Sequence, residues 1–490
     1  MKMEVIEKSN LVRIMQYLEE KIICGEGLEY YVPDLWNCFG YKGSELIVRE
    51  RGLLAVNPYS FFYSCIKEYI MGKAKQEIDY SKTINNLEIN KKSQANYIGG
   101  DWIKKTSVYA MNISLSTSWN HSDLEIEKGS FLKAIALLPL LKKMGISAIV
   151  METFYVFDQE KLVINETLKD RLLKNDFGLE EQLTAFVEAC HILDIKVLTE
   201  ILPNSSKVEN YVKLQKLFGF DGAKINKIHT ISEELEANVI KALKAGNDEF
   251  AIIAEEFSTE LAEASRKKGY NIIVGSSWIY EPDVEGYKTH EFVYNAAEKA
   301  VAVFACSETS ETEKIASKEQ GKLLSKFLAI FNNFVPNTVP YINSGVEVYN
   351  EKIDTQISWD NADRWDMPDT LEAVKDIRNK YINTITNKEN YLPVKFESPR
   401  TKAIGVCYII DNARWTSYGN LLLIIANTDL YNEKEYTVFL ENIRYESGNS
   451  SKKAWLMYSP CEWSHDIYDF DHQQNLELKF KPGEVKILIM

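Results

Sequence analysis

The sequence predicts an α/β protein in which a (β/α)8 barrel is followed by an all-β sandwich and preceded by a mixed N-terminal segment. Between residues 105 and 394, short β-branched runs alternate with amphipathic helical stretches. The units repeat about every 30 residues, as in a barrel of eight βα units. Residues 395–490 instead contain closely spaced apolar runs separated by Gly, Asn, Asp and Pro, which favours a sandwich. The three predicted parts are therefore 1–104, 105–394 and 395–490.

Eight apolar runs are predicted to form the barrel strands: 107–115, 146–152, 196–202, 222–226, 250–256, 271–277, 300–307 and 338–343. Helices lie between them, for example at 131–144 and 179–193, where apolar residues recur at three- and four-residue spacing. An open doubly wound sheet is the alternative. It would need a Gly-rich phosphate loop after its first strand, and none is present.

Residues 1–104 are predicted to be mostly helical, with helices in LVRIMQYLEEKII and SFFYSCIKEYI and no internal repeat. The sequence assigns no role to this segment. In the last part, runs such as AIGVCYII, LLLIIAN, YTVFL, KAWLMYS and LELKF predict the strands of the sandwich.

Charge and composition limit the function classes. The net charge of -14 argues against a nucleic-acid partner, because phosphate backbones bind surplus lysine and arginine. No long apolar run occurs and acidic residues interrupt the N-terminus, so we predict a cytoplasmic protein without membrane contact. Seven cysteines without CxxC spacing and six histidines without ligand spacing predict no metal or cofactor. The oligomeric state stays open.

Chemistry in a barrel of this kind belongs at the C-terminal ends of the strands. Those positions are acidic and amide-rich here, and they include Glu200, Asn204, Asn226, Glu255 and Glu308. Two carboxylic acids on separate strand ends could act as general acid and base on a glycosidic bond. Only one of the neighbours Glu255 and Glu256 can face the barrel mouth, and we predict that it is Glu255.

These strand ends, in this order, resemble the short motifs of the α-amylase superfamily, glycoside hydrolase family 13. The family's third-strand motif D-x-x-x-N-H is matched by Glu200 and Asn204, with Ser205 at the His position. Its fourth-strand motif D-G-F-R-x-D is matched by residues 221–226. The eighth-strand pattern P-x-x-x-x-G-x-E is matched in full, by Pro340, Gly345 and Glu347.

The resemblance implies roles and also departures from them. Glu255 takes the position of the family's general acid, and Glu308 takes that of its transition-state-stabilising Asp. The family's nucleophile position holds Asn226, which lacks the anionic oxygen needed for a covalent glycosyl intermediate. The family's Arg is replaced by Lys224, which lacks a planar bidentate fork. We therefore predict a catalytically impaired protein, a pseudoenzyme of carbohydrate metabolism.

The connection between the third and fourth strands is short. Only residues 205–218 lie between Asn204 and Gly219, and VENYVKLQKLF within them predicts a single crossover helix. The resemblance would place an inserted second domain here, often with calcium. Its absence predicts an open cleft and no calcium site.

Three hypotheses follow. The first is a binding protein for α-glucans or oligosaccharides, with Glu255, Glu308 and the aromatic residues Trp119 and Tyr155 contacting sugar beside Glu200, Asn204 and Lys224. The second is an active α-glucan hydrolase or transglycosylase with Glu255 as acid and Glu200 or Glu308 as base. The third is a scaffold or subunit without a sugar site, which an apolar, filled rim would favour.

Overall fold

The computed structural model describes most of the chain. The described residues are 9–27, 30–41, 44–48, 52–72, 97–122, 125–158, 161–173, 176–202, 208–226, 228–256, 261–274, 302–306, 308–310, 312–353, 357–359, 361–398, 401–410, 419–463, 465–473 and 475–490. No helix in these ranges is long and apolar enough to cross a membrane.

The N-terminal segment combines two helices with a small sheet. Helix α1 (Asn10–Ile23) begins at Ser9, whose hydroxyl accepts a hydrogen bond from the Val12 amide, and it buries a stripe of leucine and isoleucine side chains. Strands β1 (Tyr30–Pro33), β2 (Ser44–Val48) and β3 (Leu53–Val56) form an antiparallel sheet in the order β1-β3-β2. Helix α2 (Pro58–Ser64) follows and continues as a π-helical turn at Cys65–Ile70. The sheet was not among the predicted elements.

The central part contains the barrel. Its strands are β4 (Val108–Met111), β5 (Trp119–Ser122), β6 (Glu125–Glu127), β7 (Ala148–Met151), β8 (Tyr155–Asp158), β9 (Lys161–Ile164), β10 (Lys196–Ile201), β11 (Gly222–Ile225), β12 (Ala251–Ala254), β13 (Ile272–Ile273), β14 (Ala302–Cys306) and β15 (Thr338–Asn343). Eight of them, β4, β7 and β10 to β15, pair in parallel and close into a barrel. The predicted (β/α)8 barrel is confirmed, and each predicted run contains one of its strands.

Helices cover the outside of the barrel. They are α3 (Ile113–Ser116), α4 (Phe131–Lys143), α5 (Leu179–Ile192), α6 (Val208–Phe218), α7 (Glu233–Lys244), α8 (Ala262–Lys268), α9 (Gly321–Phe331) and α10 (Asp366–Ile385). The connection from β10 to β11 contains the single helix α6, as the apolar spacing predicts. Short 3-10 helices lie at Asp34–Asn37, Asp101–Lys105, Glu166–Leu168, Ile228–Thr230, Ile315–Ser317, Val346–Val348 and Lys388–Asn390.

The C-terminal part is a sandwich of two antiparallel sheets, as predicted. Its elements are β16 (Tyr391–Pro393), β17 (Lys395–Phe396), β18 (Ala403–Ile409), β19 (Leu421–Asn427), β20 (Lys434–Phe439), helix α11 (Glu441–Ser447), β21 (Lys453–Tyr458), β22 (Ile467–Asp469), β23 (Leu476–Phe480) and β24 (Val485–Ile489). The larger sheet has the order β16-β18-β19-β24-β21-β22, and the smaller has the order β17-β20-β23.

Strand β19 explains why its sequence, LLLIIAN, is apolar throughout. Its residues are buried on both faces: Leu422 and Ile424 join the core shared with the barrel, whereas Leu423 and Ile425 join the core between the two sheets. A strand covered on both sides reads as a continuous apolar run rather than as an alternating one. The larger sheet therefore lies between the barrel and the smaller sheet.

Two of the polar contacts that attach the N-terminal segment to the barrel join residues far apart in the sequence. The Glu188 carboxylate on α5 accepts a 2.9 Å hydrogen bond from the Leu11 amide at the start of α1. The Arg364 guanidinium, in the segment after β15, donates to both carboxylate oxygens of Asp34 at 2.7 Å. Next to this pair, Trp36 and Trp359 pack edge to face, and both are fully buried. The segment therefore supports the chain that follows the last barrel strand.

Replacing Arg364 with Met is expected to lower the free energy of unfolding by about 1.5–3 kcal/mol, because it removes two charge-assisted hydrogen bonds from a largely buried pair. Chemical denaturation measures this loss. The matched control is Lys322→Met, which breaks a half-exposed pair with Asp363 and should cost at most about 1 kcal/mol. Equal losses in the two variants would contradict the role assigned to the Asp34 pair.

Candidate functional site

The C-terminal ends of the eight parallel strands meet at one end of the barrel, which we call the mouth. Polar residues lie there on or just after successive strands: Asn112 after β4, Glu152 after β7, Glu200 on β10, Asn226 after β11, Glu255 after β12, Glu308 after β14 and Asn343 at the end of β15. The barrel therefore brings together the predicted strand-end residues that the structure describes.

Lys224 lies at the centre of the mouth. It is the register partner of Glu200 on the neighbouring parallel strand, so the two side chains point the same way. Its Nζ donates to Glu200 Oε1 at 2.7 Å and lies 3.6 Å from Glu255 Oε1. Burial alone would lower the pKa of Lys224, but Tyr341 and the Glu200 and Glu255 carboxylates raise it. One ammonium group therefore contacts two carboxylates.

The second oxygen of Glu200 is also occupied. It accepts hydrogen bonds from the Thr153 amide at 3.2 Å and from the Thr153 hydroxyl at 3.4 Å. Glu200 itself is buried, with 7% of its surface exposed. Its carboxylate is therefore held by protein groups on both oxygens.

Tyr155 lies below the rim. Its hydroxyl donates to the backbone oxygen of Glu200 at 2.9 Å, and its ring packs against Phe154 and Phe157. The side chain is 6% exposed, and burial raises its pKa. The expectation that Tyr155 is a rim aromatic residue for sugar stacking therefore needs correction, because almost no ring face is left for a ligand.

Asn226 follows β11, at the position where the resemblance to the α-amylase superfamily places the family's nucleophile. Its backbone amide donates to Ile201 at 2.9 Å, continuing the ladder between the two strands. Its side-chain oxygen is buried and has no hydrogen-bond donor in the described structure. A buried acceptor without a partner is costly and is more common at functional sites than elsewhere in a core.

Glu308 is bound within its own loop. One carboxylate oxygen lies 2.9 Å from the Lys314 ammonium, and the other accepts the Ile315 amide at 2.8 Å. Glu308 and Lys314 are 3% and 4% exposed. Both oxygens of the predicted base are therefore engaged, and sequence reasoning missed Lys314 because its partner lies six residues away in an irregular loop.

Glu347 braces the loop after β15. It is fully buried and accepts hydrogen bonds from the Tyr109 hydroxyl at 2.5 Å and the Gly345 amide at 2.9 Å. Burial raises the pKa of Glu347 to about 7, although both hydrogen bonds act to lower it. The residue closes the loop on itself and on the first barrel strand.

Glu152 is another mouth residue that sequence reasoning missed. It directly follows β7 and is half-buried. Burial and the nearby Glu200 carboxylate raise its pKa, whereas Asn112, Lys224 and Ser310 lower it. Its position in the sequence could have revealed it. Glu152 is the last residue of the second predicted strand run, just as Asn226 is the last residue of the fourth.

The remaining predicted residues lie outside the mouth or outside the described part of the chain. Asn204 and Ser205 fall outside the described residues. The backbone of Trp119 lies on β5, and its side chain also falls outside the description. Asp221 is at the opposite end of the barrel, where it accepts hydrogen bonds from His191, Lys196 and the Val197 amide. The described residues contain no group of three or more His, Cys, Asp or Glu side chains able to hold a metal ion.

Several solved structures share this architecture. The α-amylase from Geobacillus thermoleovorans, complexed with acarbose, has a TM-score of 0.59 at 11% identity over 79% of this chain and 98% of its own. The chain has the α-amylase fold. The debranching enzyme from Nostoc punctiforme, with an α-amylase fold like this one, has a TM-score of 0.59 at 13% identity over 80% of this chain and 100% of its own. The pullulanase from Anoxybacillus sp. LM18-11 has a TM-score of 0.61 at 12% identity over 82% and 72%.

No protein-family model matches the sequence, and no curated protein matches it significantly. The α-amylase fold is therefore established by structure at identities too low to carry function. Within this α-amylase fold, the described mouth is not an empty cleft, because charged side chains of the protein contact one another in it. Three of its glutamates are already in contact with lysine ammonium groups: Glu200 and Glu255 with Lys224, and Glu308 with Lys314.

Proposed function

We propose that the protein binds α-glucan oligosaccharides at the barrel mouth and does not hydrolyse them by the double displacement typical of α-amylases. The observation that carries this proposal is the environment of Lys224. Its ammonium contacts both Glu200 and Glu255, while Asn226 stands where a carboxylate nucleophile would be needed.

The chemical argument concerns the covalent step. A retaining glycosidase needs an anionic carboxylate to attack the anomeric carbon and a second carboxyl group to protonate the leaving oxygen. The Asn226 amide oxygen carries no formal charge and cannot form the glycosyl ester. The mouth can still donate and accept hydrogen bonds, which is what sugar hydroxyl groups require.

Two further observations support binding. The solved structures with this fold include an α-amylase complexed with acarbose and a pullulanase complexed with maltotetraose. The described rim of this barrel is polar, with carboxylate, amide and ammonium groups, rather than apolar and filled. That polarity counts against a scaffold without a ligand site.

The contacts also weigh against an active enzyme with Glu200 or Glu308 as base. Both carboxylate oxygens of each residue are already bound, Glu200 by Lys224 and Thr153 and Glu308 by Lys314 and Ile315. Each contact occupies a lone pair that could otherwise accept a proton from a water molecule, and a general base needs such a lone pair within hydrogen-bond distance of that water.

The test is prolonged incubation with maltotetraose and an activated aryl α-glucoside, together with calorimetric titration of maltotetraose. We expect the parent protein to bind the oligosaccharide and to release no product above the Glu255→Gln background. We expect any turnover to require Asn226→Asp, which supplies the missing carboxylate. The matched control is Asn247→Asp, the same change at an exposed residue, which should behave as the parent does.

Product release by the parent that Glu255→Gln abolishes would overturn the proposed loss of hydrolysis. Failure of the parent to bind any glucan would overturn the proposed ligand. The two measurements are independent, so each half of the proposal can fail separately.

A further inference from the structure

A small cavity opens at the side of the mouth where β4, β7 and β15 end. Its wall includes Asn112, Glu152, Ser310, Asn343 and Lys352, and its volume is about 30 Å³. Space of that size accommodates a single polar group, such as a hydroxyl or an ammonium, rather than a sugar ring. The cavity is therefore suited to one substituent of a larger ligand.

Glu152 differs from the other described glutamates of the mouth. Glu200, Glu255 and Glu308 each contact a lysine ammonium, and Glu347 is fully buried. Glu152 remains half-buried, and no salt bridge joins it to a lysine or arginine of the described structure. Asn112 and Ser310, which line the same cavity, are neutral, and both lower the pKa of Glu152. Its carboxylate can therefore accept a hydrogen bond from a ligand without competing with a contacting lysine of the described structure.

Asn343 is an independent indication at the same cavity. It is 3% exposed, it lines the cavity wall, and its side-chain oxygen has no donor among the described residues. A buried acceptor left without a donor destabilises a fold by about 1–3 kcal/mol, so such groups are retained mainly where something else supplies the donor. Together, the Glu152 carboxylate and the Asn343 amide make the cavity rich in acceptors.

We propose that this cavity is a specificity subsite in which Glu152, with Asn343 beside it, accepts a hydrogen bond from a donor group of the bound sugar. The inference rests on the proposed function and names the residue that recognises the donor group of the ligand. The ligand group that the subsite recognises is an O–H or N–H hydrogen-bond donor. This donor can be a hydroxyl of a neutral glucan or the amine of an amino-sugar ligand.

Glu152 also gives the subsite a pH dependence. Burial and the adjacent Glu200 carboxylate raise the pKa of Glu152, while Lys224 lowers it, and Lys314 and Lys352 also line the cavity. The accepting form is the carboxylate, which exists above its pKa. Affinity for a neutral glucan is therefore expected to fall as the pH decreases through the raised pKa of Glu152, and this fall should vanish in Glu152→Gln.

The experiment is calorimetric titration of the full chain with maltotetraose and with acarbose, which carries a secondary amine. Glu152→Gln should weaken binding on the order of tenfold or more, as expected for losing a hydrogen bond to a charged acceptor. The matched control, Glu166→Gln, makes the same change at an exposed carboxylate on the connection after β7 and should leave both affinities unchanged. An equal loss for both ligands assigns the donor to a hydroxyl, and a larger loss for acarbose assigns it to the amine.

Unfolding is not expected to obscure this result. A carboxyl group whose pKa is raised in the folded state destabilises the fold at neutral pH, so its amide replacement should unfold at the same temperature as the parent or higher. If Glu152→Gln binds both sugars as tightly as the parent, the subsite is refuted while glucan binding stands. If the parent binds neither sugar, both the subsite and the proposed function are wrong.

Discussion

Replacing Lys224 with Met is expected to lower the free energy of unfolding by about 3–5 kcal/mol, because it removes the ammonium group that the buried Glu200 carboxylate and the partly buried Glu255 carboxylate share. Glu200 is 7% exposed, so without Lys224 its charge would have little water to replace the lost contact. Urea unfolding at neutral pH measures the loss.

Two comparisons separate this effect from a general loss of packing. Lys213→Met changes an exposed lysine on α6, in the connection that leads to the same strand, and should stay within about 0.5 kcal/mol of the parent. Adding Glu200→Gln to Lys224→Met should recover part of the stability, since it removes one of the unpaired charges. If Lys224→Met left the free energy of unfolding nearly unchanged, the mouth would be hydrated enough to solvate both carboxylates.

Replacing Arg266 with Met at the other end of the barrel is expected to cost a similar amount, about 3–5 kcal/mol. Its guanidinium binds both oxygens of Asp101 at 2.6 and 2.7 Å, and Asn271 donates to the same carboxylate at 2.8 Å. The two charged side chains are 12% and 7% exposed. The neighbouring control Lys267→Met loses only an exposed pair with Glu263 and should cost at most about 1 kcal/mol.

The Asp101 pair also predicts a pH dependence. Burial alone would raise the pKa of Asp101, but Arg266, Lys104 and Asn271 lower it below its usual value. A lowered pKa stabilises the fold at pH values above about 4, and that stability is lost as the pH falls through the folded-state pKa. The difference between the parent and Arg266→Met should therefore shrink below about pH 4, and a difference independent of pH would contradict the assignment.

The barrel could be predicted from the sequence because its strands are buried on both sides. Runs such as Ala148–Met151 and Ala251–Ala254 are apolar throughout, and helices of clear periodicity lie between the strands. The same rule places Glu255 in the mouth, since Cβ direction alternates along a strand. Its contact with Lys224 agrees with that placement.

The pairing of charges in the mouth could not be predicted in the same way. Whether Glu308 faces a ligand or Lys314 depends on the path of an irregular loop, which no periodicity records. The burial of Tyr155 depends on how the β8–β9 hairpin folds back over Glu200. The N-terminal sheet was not predicted because its short strands follow one another without the α-helices that separate the barrel strands.

The contacts of Leu11 and Asp34 that attach the N-terminal segment have a consequence for protein synthesis. Glu188 is translated 177 residues after Leu11, and Arg364 is translated 330 residues after Asp34. At cellular elongation rates these delays are on the order of tens of seconds. During that time the part of α1 that packs on α5 has no partner on the ribosome, although α1 also packs on α2, which is translated much earlier. We expect this part to stay exposed until α5 has been translated. The contact between Asp34 and Arg364 can form only after all eight barrel strands have been translated, which makes the first segment to be translated one of the last to be fixed in place.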